Sequence, residues 1–173
     1  MDKITEEELR AFVGPRAERY LAMWQADLEL GVCRATKNWA AFLFAPFWLA
    51  YRKMYRVLAI FLGIALFESV LEELILEKFS FSTEAGYVVT SGIGILFAVV
   101  CGVWGNKWYF SHAQRHIVRA RIPGANENGD CGAISDRGGT SLIAVFLGTV
   151  FFLLASSLLY TVLFGLGVIG RQV

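Results

Sequence analysis

Trp39-Ala-Ala-Phe-Leu-Phe-Ala-Pro46-Phe-Trp48-Leu-Ala-Tyr51 is an apolar run of 13 residues with a proline near its centre. At 1.5 Å per residue a helix of that length reaches about 20 Å, well short of the roughly 30 Å hydrocarbon core of a bilayer. Both flanks are basic, with Arg34 and Lys37 before the run and Arg52, Lys53 and Arg56 after it. The preference of Lys and Arg for the cytoplasmic side therefore holds both ends on one face. A re-entrant or interfacial segment is expected over residues 38–56. Pro46 breaks the helix at a place where protein or water must satisfy the freed carbonyl. Asn38 is suited to cap the first turn, and the two Trp and the Tyr suit headgroup depth.

Three longer apolar runs follow, at residues 57–76, 86–104 and 141–169. The first two have the length of a crossing, and the third needs tilt or a protruding end. With residues 1–56 and 105–140 in the cytoplasm, 14 of the 16 Lys and Arg lie on that side, and only Lys78 and Arg171 do not. Three spans with the N-terminus inside are expected. The chain of 173 residues is 56% hydrophobic and 18% charged, against about a quarter charged in soluble domains. Its net charge of +1 gives no field for a polyanion, so nucleic acid is not an expected partner. The first apolar run begins too late for a signal peptide. Cys33, Cys101 and Cys131 are far apart and form no C-x-x-C pair, so neither a disulfide framework nor a zinc site is encoded.

Residues 1–37 read as a cytoplasmic amphipathic helical segment. Thr5 and Glu8 have the spacing of a capping box, and Gly14-Pro15 ends the first helix. Ala17, Tyr20, Leu21, Trp24 and Leu28 then form an apolar stripe, opposite Arg16, Arg19 and Asp27. Residues 57–173 are the transmembrane region, with a cytoplasmic loop at 105–140. Within that loop 107–121 continues a helix, and 123–140 reads as a polar, Gly-rich linker. Asp136-Arg-Gly-Gly-Thr-Ser141 lacks the Gly-Lys-Ser/Thr of a phosphate loop, and a bend with a Thr or Ser helix cap accounts for it.

Four patterns carry candidate chemistry. Glu68 and Glu72 lie in the outer half of the first span, where a carboxylate is costly and no Lys, Arg or His shares the three spans. With Thr90 and Ser91 at comparable height they make a candidate proton or cation site. The competing reading puts the span slightly earlier and leaves the carboxylates at the outer headgroups. His112 and His116 share a helix face, but two ligands are not a metal site, and a solvated or headgroup-facing helix beside Arg115 and Arg119 is the favoured reading. Ser156 and Ser157 have no His or Asp in their span and make no hydrolase. Gly94, Ala98 and Gly102 form a smooth ridge for close helix approach.

Asn38 through Tyr55 resembles the signature of the bacterial membrane proteins grouped as domain of unknown function 2628. Residues 12–21, Gly105-Asn-Lys-Trp-Tyr109 with His112, and Gly138-Gly-Thr-Ser141 are similar to it as well. The resemblance implies a small bacterial inner-membrane protein and brings no catalytic residues. The expectation is an all-α integral membrane helical bundle with no cofactor and no metal. It is a non-enzymatic scaffold or accessory protein that contacts anionic lipid, and a protein partner or a second copy, through Asn38, Trp39, Trp48, Arg52, Lys53 and Arg56. The alternatives are a small transporter or channel component using Glu68 and, less favoured, a lipid-directed enzyme using His112 and His116.

Overall fold

The computed structural model describes residues 4–30, 36–79, 83–121 and 131–165. These residues are helical throughout, with no strand among them. The helices are α1 (Glu6–Val13), α2 (Ala17–Leu30), α3 (Trp39–Leu43), α4 (Ala45–Tyr51), α5 (Tyr55–Phe79), α6 (Thr83–Ala120), α7 (Cys131–Arg137) and α8 (Leu142–Gly165).

The capping box forms as its spacing predicts. Thr5 Oγ1 accepts from Glu8 N, and Glu8 Oε2 accepts from Thr5 N at 2.9 Å. Gly14 closes α1 at a positive φ of 75°, a backbone position that costs glycine little. The stripe on α2 is buried at Ala17, Tyr20, Leu21 and Trp24. Trp24 packs its ring on Tyr109 and Phe110 of α6. The N-terminal helices thus share one core with the charged end of α6.

The run at 39–51 is two helices. The break falls at Phe44, with φ −128° and ψ 37°, and Pro46 sits in the first turn of α4, where its missing N–H removes no intrahelical bond. α3 lies on α6, while α4 lies on α5 and α8. Asn38 N donates to Gly102 O at 2.8 Å, and at the other end the Arg52 guanidinium reaches the Tyr109 hydroxyl. Gly102 and Tyr109 are about 10 Å apart along the axis of α6. The segment therefore starts and ends within about two turns of that helix.

Two helices, α6 and α8, are long and apolar enough to cross a membrane. Their apolar windows are 17% and 0% buried inside the protein, whereas the core helix of a soluble protein would be mostly covered. The continuation past residue 104 forms as expected, since α6 runs unbroken to Ala120. The stretch 123–140 is not linker throughout. Residues 131–137 are α7, which packs on α1 through the fully buried Ile134. One apolar anchor in seven residues is too short a pattern to show a helical period. The bend after α7 is built by close approach: a Cβ on Gly138 would sit 2.0 Å from Phe12 O. Ser141 Oγ then caps α8 by accepting from Ala144 N at 3.1 Å.

The ridge on α6 is used by α3. A Cβ on Gly102 would meet Phe42 Cβ at 2.9 Å, and one on Gly105 would meet Ala41 Cβ at 3.1 Å. Gly94, at the far end, faces open space. Cys33 and residues 166–169 of the last apolar run lie outside the described residues.

Candidate functional site

The turn between α4 and α5 sends successive cations into two different cavities. Arg52 is 2% exposed. Its Nη2 donates to the Tyr20 hydroxyl at 3.0 Å and its Nη1 to the Tyr109 hydroxyl at 3.4 Å. The guanidinium stands over the Tyr20 and Tyr109 rings at 4.7 and 4.9 Å. Such cation–π contacts gain strength when they are desolvated. Burial pushes the Tyr109 phenol up to about 12, against the pull of Arg52, so the hydroxyl keeps its proton at neutral pH. No carboxylate pairs with Arg52 among the described residues, and its Nε has no hydrogen-bond partner.

Arg52 lines a groove of about 300 Å³ that also receives Arg16, Arg19 and Lys37. Phe44, Phe47, Leu142 and Val145 form its apolar wall. The groove thus combines four cations with apolar side chains in its lining.

Of the residues singled out in the sequence, Asn38 is buried and caps α3, accepting from Ala41 N and donating from Nδ2 to Asn106 Oδ1 at 2.7 Å. Trp48 is buried against Gly105 and Tyr109. Asn38, Trp48 and Arg52 all border the groove from inside the protein. Trp39 is 66% exposed and faces outward, and Arg56 is exposed as well. Arg16, Arg19 and Lys37 were not singled out, because their convergence on Arg52 is made by α2 packing on α6 and has no counterpart in sequence spacing.

Lys53, at a left-handed φ of 55°, points the other way. Its cavity of about 230 Å³ is lined by Lys53, Tyr55, Arg56, His112, Arg115, His116, Arg119 and Arg137. The imidazoles lie 4.4 Å apart, with the buried Phe12 ring 5.8 Å from His112 and 6.1 Å from His116. The pair is therefore half-buried against α1, with Arg115 and Arg119 of the expected solvated or headgroup-facing helix lining the same cavity. Both rings lie beyond the uncharged stretch of α6. Burial, then the charges of His116 and Arg115, push His112 down to about 4. His116 is lowered by burial and by Arg119, Arg137 and Arg115. Both are neutral at pH 7. Among the described residues no group of three His, Cys, Asp or Glu could hold a metal ion.

At the other end of the molecule the Thr90 hydroxyl donates to Glu72 Oε2, while Glu68 Oε1 is buried with no partner. Ser91 is exposed, and so is Tyr160 on α8, with 58% of its surface open.

A family model described as Protein of unknown function (DUF2628) matches residues 6–115. The chain belongs to this family. The match contains α1 to α5 and most of α6, including Asn38, Arg52, Asn106 and Tyr109, and it stops before Arg119 and α7. No curated protein and no solved structure matches the chain.

Proposed function

We propose that the protein is a non-enzymatic accessory protein of the bacterial inner membrane, with three spans and a cytoplasmic N-terminus, that holds an anionic phospholipid in the groove beside Arg52. In this reading α5, α6 and α8 cross the bilayer, α3 and α4 dip into the inner leaflet and return, and α1, α2 and α7 stay in the cytoplasm. The basic flanks of the hairpin and the attachment of its two ends within about two turns of α6 support that layout. The observation that carries the function is the groove itself. A buried guanidinium without a carboxylate partner among the described residues stands beside Arg16, Arg19 and Lys37, with an apolar wall that suits an acyl chain. An anionic headgroup would offset these charges, and the exposed Trp39 and Arg56 suit the surrounding headgroup layer.

The test is tryptophan quenching in vesicles containing brominated phosphatidylglycerol or brominated phosphatidylcholine. The full chain should be quenched preferentially by the phosphatidylglycerol. The preference should fall at least fivefold in the double variant Arg16→Gln/Arg19→Gln. Equal quenching by both lipids would remove the proposal.

A second reading rests on the Glu68, Glu72 and Thr90 cluster, where a buried carboxylate oxygen lacks a partner. It is a proton or cation site of a small transporter component. Its mark is a pH-dependent or cation-dependent flux in reconstituted vesicles that disappears in Glu68→Gln. Equal flux in the variant and the parent would discard it.

A further inference from the structure

We propose that the cavity enclosed by Lys53, Arg56, Arg115, Arg119 and Arg137 over the His112–His116 pair binds a phosphoryl group, as a second site distinct from the Arg52 groove. The site does not depend on the lipid reading of that groove.

Its cations come from three places in the chain: the turn before α5 with the first residues of α5, the last turns of α6, and the last residue of α7. No basic run in the sequence places them together. The fold does so, and no carboxylate lines the cavity among the described residues. Five like charges around about 230 Å³ repel one another, and a bound anion offsets that repulsion.

The hydrogen bonds these cations make go to neutral backbone carbonyls. Lys53 Nζ donates to Asp136 O at 3.4 Å, Arg115 Nε to Ser111 O at 3.0 Å, and Arg137 Nη1 to Arg119 O at 3.1 Å. These contacts orient the side chains and leave further donors on each guanidinium, whose planar fork matches phosphoryl oxygens. Lys53 adopts a backbone conformation unfavourable for a side-chain-bearing residue, and that conformation directs it here and away from the cavity used by Arg52. His112 adds a buried Nε2 with no partner. A phosphoryl group could be supplied by a free phosphate or by a phosphomonoester lipid headgroup, and the cavity chemistry is the same for both.

The experiment uses the full chain in maltoside micelles, which contain no phosphate. Inorganic phosphate is titrated by calorimetry at pH 7.5 and constant ionic strength, against chloride. In a second arm the micelles are doped with phosphatidic acid, and binding is followed by fluorescence. Binding in at least one arm is expected, and it weakens at least tenfold when Arg115→Gln/Arg119→Gln is added to a chain that already carries Arg16→Gln/Arg19→Gln, in which the Arg52 groove no longer contributes. Binding in the first arm alone assigns a soluble ligand, and binding in the second alone assigns a lipid headgroup. Because Arg56 is exposed, Arg56→Gln gives the same readout should the double variant misfold. No binding in either arm, or equal binding by the parent and all cavity variants, overturns the proposal. So does loss of binding already in the Arg16→Gln/Arg19→Gln chain, while the groove proposal would survive that result.

Discussion

Arg52 does its work by being surrounded. A lysine at that position would keep the charge but not the planar group that lies against two touching tyrosine rings and donates to both hydroxyls. Arg52→Lys should cost about 2 kcal/mol and Arg52→Ala about 3 kcal/mol, measured by denaturation in micelles, from lost cation–π and charge-assisted bonds. His112 sets a pH window. Its folded value is about 4 and its ordinary value 6.5, so the unfolded chain binds the extra proton first. Its contribution is therefore fully present above pH 6.5 and is lost as pH falls towards 4. The groups sharing its cavity are Lys53 from the turn before α5, Tyr55 and Arg56 from α5, Arg137 from α7, and Arg115, His116 and Arg119 on its own helix, with the Phe12 ring of α1 against the imidazole. A melting temperature that declines from pH 6.5 to 5 in the parent should decline less in His112→Asn, and an identical slope would contradict this account. Glu8 operates at a lower pH. Burial would raise its carboxyl, but Arg121 and Thr5 hold it below the ordinary carboxylate range, so its contribution fades only as pH falls through that lowered value.

Between elements, the decisive unit is the α3–α4 hairpin. Its start is tied to Gly102 and Asn106, its middle lies on Gly105 and its end reaches Tyr109, so it depends on α6 along its whole length. The geometry predicts that single cysteines placed at Lys37 and Arg56, in a chain without its native cysteines, are labelled by an impermeant thiol reagent from the same side of the membrane. Labelling from opposite sides would mean that the segment crosses. A second tie joins α1 to the end of α6, where the buried Glu8 carboxylate holds Arg121 through two contacts of 2.9 and 2.8 Å. Removing one partner of a buried pair leaves the other uncompensated, so Arg121→Ala should cost about 3 kcal/mol.

At the level of the whole molecule, packing is uneven. The half built from α1 to α4, α7 and the charged end of α6 holds a core of Leu9, Phe12, Trp24, Leu49, Tyr109, Ile117 and Ile134. The apolar windows of α6 and α8 are barely covered, and α8 packs chiefly on the short α4. The small-residue ridge divides along the same line. Gly102 is filled by α3, while Gly94 looks onto open space. Gly102→Leu should therefore destabilise the monomer by about 2 kcal/mol or more through overpacking against Phe42. Gly94→Leu should leave monomer unfolding unchanged and alter only oligomer size, read by light scattering in micelles. A reversed result would mean that the ridge packs differently from this arrangement.

Much was legible from local chemistry. The capping box at Thr5, the stripe from Ala17 to Trp24, the interruption of the 39–51 run and the continuation of α6 past residue 104 all follow from side chains within a turn or two of one another. Helical periodicity and capping are short-range, so one chain suffices to read them. The two cavities depend on distance. Arg52 meets Tyr20 and Tyr109 across separations of 32 and 57 residues, and Lys53 meets Asp136 across 83. A hydrogen bond between remote segments leaves no periodic trace along the chain. Whether a basic side chain faces solvent, lipid or a buried ring is therefore set by how the helices pack, and that was decided by the tertiary structure alone.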